Sequence, residues 1–119
     1  MPGQPLASES DVMEQITPST LKAWLADESK AKPYLLDVRE SWEFEKCHID
    51  GAQLMPMSTI PARVAELKRD EDIVVICHHG GRSFQVAMFL EQQGFSRLHN
   101  LNGGVDAWAL QVDTTMARY

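Results

Sequence analysis

Apolar positions along the chain change their spacing several times, and the changes mark out alternating helices and strands. Thr17 and Pro18 open a stretch in which Leu21, Trp24 and Leu25 share one helical face. Threonine caps a helix well and proline suits its first position, so a helix is predicted from there to near Ser29, ahead of Pro33. Residues 34–38, YLLDV, form a short apolar run that reads as a buried strand. A helical turn around Trp42 and Phe44 follows, then a second strand over 52–56 stopped by Pro56. Ile60, Val64 and Leu67 place a helix over 58–68. IVVIC, residues 73–77, is expected to be the most buried strand. Val86, Phe89 and Leu90 recur at helical spacing over 82–93, and Gly94 stops that helix. A strand over 97–101 and a turn at Asn102, Gly103 and Gly104 lead into a last short helix from Val105 to about Leu110.

Strands alternating with helices predict an α/β fold, a parallel sheet with helices on both faces. Residues 1–14 hold Pro2, Gly3 and Pro5 without periodicity and read as a flexible leader, leaving 15–119 as one domain. A chain of 119 residues holds a single core. Its net charge of −6 argues against nucleic acid or an anionic membrane as the main partner, since either calls for a basic face. No stretch approaches the roughly 18 apolar residues of a membrane span, and the start lacks a basic region followed by an apolar one, so the cytoplasm is the expected location.

Two cysteines, Cys47 and Cys77, are too few and too far apart for a disulfide scaffold or a paired zinc or redox motif. Cys77 ends the central strand, and ligand sites of open parallel sheets lie at the carboxyl ends of their strands. Behind it, Gly80 and Gly81 allow a tight turn with inward backbone N–H groups, and a helix starts near Arg82 or Ser83. Those N–H groups form a site for negative charge around the sulfur and favour the nucleophilic thiolate. A lone free cysteine is more often a small buried hydrophobe, but the glycines, the arginine and the helix start weigh for a reactive one. His78 and His79 either add hydrogen bonds and positive potential or face solvent. Adjacent histidines in a tight turn do not reach one metal with the neighbouring cysteine, so no metal site is expected.

With these residues in view, the chain resembles the single-domain rhodaneses, which are sulfurtransferases, from Ile16 to Trp108. The resemblance rests on DVRE at 37–40 with Glu43 and Phe44, HI-x-GA at 48–52, C-x-x-G-x-RS at 77–83, and GF with L-x-GG-x-x-AW between 94 and 108. It implies that Cys77 attacks the outer sulfur of thiosulfate or another sulfane donor, holds it as a persulfide and passes it to a thiol or to cyanide. No metal or organic cofactor is implied. His78, His79, Gly80, Gly81 and Arg82 would form the anion cradle, with Ser83 at the helix start. Arg82 would bind the donor or brace the loop through a carboxylate, and Asp37 and Arg39 would be bracing groups. The family usually has glycine where Cys47 stands. The tail VDTTMARY looks like tails on rhodanese domains fused to adenylyltransferases of sulfur-carrier pathways.

Two other classes share the fold. Some dual-specificity phosphatases use a cysteine loop with five residues between cysteine and arginine, whereas Cys77 and Arg82 enclose four, a ring better suited to sulfur. Silent binding modules of the fold typically lack the cysteine. A crossover from Arg39 to Gly51 is expected to carry Cys47 and His48 to the edge of the sheet far from the active loop, so Cys47 and Cys77 should not form a disulfide.

Overall fold

The structure, a computed structural model, describes residues 13–119. Among them, β1 (Met13–Ile16), β2 (Tyr34–Asp37), β3 (Gln53–Leu54), β4 (Ile73–Ile76) and β5 (Leu98–Leu101) form one parallel sheet in the order β1-β5-β4-β2-β3. All four β4 residues are buried, which places IVVI inside the sheet as its unbroken apolar run implied. Side chains on β2 and β4 alternate between two cores. Leu36, Ile73 and Val75 pack with Ile60, Val86 and Leu90 in one, and Leu35, Val74 and Ile76 pack with Leu21, Val105 and Trp108 in the other. Those partners come from helices on both faces: α1 (Pro18–Ala26) and α5 (Gly104–Gln111) on one, α3 (Ile60–Arg63) and α4 (Gly81–Gln92) on the other.

Local chemistry sets the boundaries. Thr17 caps α1 by accepting a hydrogen bond from the Thr20 N–H at 3.1 Å, with Pro18 in the first turn. The helix closes at Ala26 rather than near Ser29, because the Asp27 N–H already turns back to the Trp24 carbonyl. A second short helix, α2 (Ser41–Lys46), starts with a reciprocal pair of bonds between Glu40 and Glu43.

Three further expectations are corrected. The helix over 58–68 is broken into a 3-10 turn at Met57–Thr59, the single turn α3 and another 3-10 turn at Val64–Glu66. Pro61 is tolerated in a first helical turn but not in a helix interior, so the pattern must restart around it. The strand over 52–56 shrinks to two residues. The leader over 1–14 loses Met13 and Glu14 to β1, which pairs along its whole length with β5; residues 1–12 lie outside the described residues. In β1 the central Glu14 and Gln15 are exposed, so the strand has too little apolar alternation to be seen in sequence.

Candidate active site

Cys77 follows β4 directly at the carboxyl end of the sheet and is 1% exposed. The chain then turns through His78 and His79 to Gly80, whose φ of +108° lies in the left-handed region that favours glycine. This turn brings the Gly80 N–H to Cys77 Sγ at 3.0 Å. Gly81 opens α4 with ordinary helical backbone, so the first N–H groups of a twelve-residue helix are presented beside the sulfur. The loop carbonyls are tied off elsewhere: Cys77 O accepts from the Val105 N–H at 2.9 Å and His78 O from the Asp106 N–H at 3.1 Å, both at the start of α5. Carbonyl dipoles are thus held by α5 while the Gly80 N–H faces the sulfur.

A buried polar group braces the other side. The Cys77 thiol donates to Ser83 Oγ at 3.3 Å, and the Ser83 hydroxyl donates to Asn100 Oδ1. Asn100 Nδ2 in turn donates to Gly80 O at 3.2 Å and Gln15 Oε1 at 3.1 Å. Asn100 therefore connects β5, β1, the loop and α4, and at 2% exposure it keeps its amide satisfied away from water.

The charged residues form a connected brace. Asp37 and Arg39, both fully buried, pair through bonds of 2.9 and 2.7 Å, and Arg39 also donates to Cys47 O at 2.7 Å and Glu43 O at 3.3 Å. Burial works against the Arg39 charge, but the bonds to Asp37 and Tyr119 outweigh it and hold the guanidinium protonated. Arg82 is gripped by Glu43 through two bonds of 2.8 and 2.9 Å. That grip takes the Glu43 carboxyl down to about 2, against the opposing effect of burial. Of the two roles considered for Arg82, the geometry displays the brace. The Asp37 and Arg39 side chains likewise engage each other and the backbone.

His78 and His79 stack at 3.9 Å, and His78 stacks on Tyr119 at the same distance. Burial, with help from the neighbouring His79, pushes His78 below the ordinary histidine range. His79 is 67% exposed and sits 3.9 Å from Asp106, so its solvent-facing alternative describes much of its ring. Asp106 brings a third metal-ligating side chain to within 4.8 Å of both histidines, a partner that sequence spacing did not disclose. Its carboxylate accepts from Arg118 at 3.0 Å.

Asn100, Gln15, Asp106 and Tyr119 were missed as site residues. Asn100 left a signal, since a short polar side chain inside the buried run LHNL has to find partners. Tyr119 left none at its own position. The expected place of Cys47 is overturned: its carbonyl meets Arg39, which is bound to Asp37 at the carboxyl end of β2, on the active-loop side. The crossover does not run back along the sheet because β3 pairs only with Leu36 and Asp37. Cys47 and Cys77 are both free. Cys47 has an extended backbone, φ −167°, which needs no glycine.

Comparison with known proteins gives the family. The rhodanese-like domain family model matches residues 17–111, and the chain belongs to that family. A sulfurtransferase of Allochromatium vinosum is 38% identical over 98 residues, covering 82% of this chain and 90% of that protein. The "Probable adenylyltransferase/sulfurtransferase MoeZ" of Mycobacterium tuberculosis is 41% identical over 106 residues, 87% of this chain but 26% of that longer protein. The crystal structure of a rhodanese-like domain protein from Staphylococcus aureus superposes with a TM-score of 0.74 at 33% identity, covering 81% of this chain and 91% of that one.

Proposed function

We propose that the protein is a sulfurtransferase that carries sulfur as a persulfide on Cys77. The observation that carries this reading is Cys77 Sγ under the Gly80 N–H at the start of α4. The Cys77 thiol first gives its proton to solvent. The thiolate then attacks the outer sulfur of thiosulfate; a new S–S bond forms, the old one breaks, and sulfite leaves with the bonding electrons. The terminal persulfide sulfur carries negative charge, which the Gly80 N–H and the positive end of α4 stabilise. Cyanide or a thiolate attacks that outer sulfur, and thiocyanate or a new persulfide departs while the Cys77 thiolate is restored. Neither half-reaction calls for a metal or an organic cofactor.

His78, His79, Gly80, Gly81, Arg82 and Ser83 make up the donor-binding loop in this proposal, and Asp37 and Arg39 support it. Arg82 acts mainly through Glu43, which spends the guanidinium's bidentate geometry on the brace rather than on a phosphoryl group. Together with the four-residue spacing, this disfavours a phosphatase. The retained and braced cysteine disfavours a silent binding module. The sulfurtransferase names of the Allochromatium vinosum relative and of MoeZ support the general reaction, and the acceptor in this reading is a small thiol or a protein thiol. A cytoplasmic setting belongs to the proposal, since a reducing compartment keeps two cysteines free. No helix among the described residues is long and apolar enough to cross a membrane. Thiocyanate formation from thiosulfate and cyanide tests the proposal. Wild-type protein should turn over and Cys77→Ser should not; turnover retained by Cys77→Ser would overturn it.

A further inference from the structure

Tyr119 lies beyond residues 17–111 matched by the family model, yet it touches the active loop at His78 and the charged brace at Arg39 and Glu43. Its ring stacks on His78 with 3.9 Å between centroids and 9° between planes, and His79 covers the other face of His78. Trp42 meets the Tyr119 ring edge-on at 5.7 Å. The Tyr119 hydroxyl accepts from Arg39 Nη1 at 2.8 Å and donates to Glu43 Oε2 at 2.9 Å. One phenol oxygen therefore joins the Asp37–Arg39 pair to the Glu43–Arg82 pair. Phenylalanine has no such oxygen. Burial and the Glu43 carboxylate push the Tyr119 hydroxyl up to about 12, so it remains a donor across the working pH range. The tail is guided into place by Arg118, which donates to Asp106, and by Met116, which packs with the core that contains Trp108.

We propose that Tyr119 is a positioning residue of the active loop, clamping His78 through its ring and fixing the Glu43–Arg82 brace through its hydroxyl. Its effect on turnover rests on the sulfur-transfer reading; its effect on His78 does not. Two substitutions separate the contacts. Tyr119→Phe keeps the stack and loses the oxygen, whereas Tyr119→Leu loses both. Tyr119 is half-buried at the margin of the core that contains Trp108, so neither change removes a fully buried side chain.

The deciding measurement is an NMR pH titration of the His78 ring, alongside thiosulfate kinetics, in the wild type and both variants. Besides Tyr119 itself, His79, Asp106, Glu43 and Arg82 are the titratable or charged groups facing His78, and these four stay as they are in both variants. In the wild type and in Tyr119→Phe, His78 should titrate below the ordinary histidine range. In Tyr119→Leu it should move up towards that range as water replaces the phenol ring. Loss of the hydroxyl should lower kcat/KM by about tenfold, chiefly through KM, and Tyr119→Leu should lower it further. His78 titrating identically in Tyr119→Leu and wild type would overturn the clamp. Unchanged kcat/KM in Tyr119→Phe would overturn the role of the hydroxyl. If wild-type protein transfers no sulfur, the sulfurtransferase reading fails while the titration still decides whether Tyr119 positions the loop.

Discussion

Glu43 and Arg82 stand 39 positions apart and meet through two parallel hydrogen bonds of 2.8 and 2.9 Å. Glu43 is nearly buried and Arg82 is 37% exposed, so the pair closes the side of the active loop where the core meets solvent. With Arg82 committed to a carboxylate, the charges of the brace are matched and the sulfur is left to the backbone dipoles of the loop.

That pairing sets a pH dependence. Glu43 falls from an ordinary carboxyl value of 4.5 to about 2 on folding, chiefly through its bonds with Arg82. A carboxyl depressed in the folded state stabilises fully above its unfolded value, and the contribution is lost as pH falls from about 4.5 to about 2. Urea unfolding of wild type and Glu43→Gln should therefore differ most near neutral pH and converge across that acid window. A difference that grows on acidification would contradict the assignment.

The loop glycines should separate sharply. Gly80 has positive φ, and a Cβ there would sit 3.3 Å from Gly103 N, so Gly80→Ala should cost about 1–2 kcal/mol and turn the N–H away from Cys77. Gly81 has open space and no left-handed backbone, and Gly81→Ala should stay within about 0.5 kcal/mol of wild type. A Cβ on Gly104 would run into the backbone of Cys77 and His78, so Gly104→Ala should be the most damaging, by roughly 3 kcal/mol. Thermal unfolding of the three variants, with sulfur-transfer rates, checks the order.

Asn100→Leu should destabilise by roughly 2 kcal/mol, because it leaves the buried Ser83 hydroxyl without its acceptor and the Gly80 carbonyl with only the Phe84 N–H. Chemical denaturation reads the loss. A stability within 0.5 kcal/mol of wild type would show that these groups find partners without the amide.

What was legible in the chain was whatever depended on near neighbours. The strand IVVI, the Thr17–Pro18 helix start and the turn after Cys77 each carry their cause within a few residues. The site was legible as far as the loop, and the family resemblance added Asp37 and Arg39. What escaped depended on long-range placement. Tyr119 reaches Arg39 across 80 positions, and Asn100 reaches Gln15 across 85. β1 escapes because Glu14 and Gln15 hide an edge strand, and the place of Cys47 depends on β3 being only two residues long, which no local pattern shows.

Mass spectrometry of the intact protein and its peptides after incubation with thiosulfate tests the central claim most directly. One added sulfur atom should appear on Cys77, disappear on exposure to cyanide, and form equally well in Cys47→Ser. No added sulfur on Cys77 in folded protein, or sulfur carried by Cys47 instead, would contradict the account.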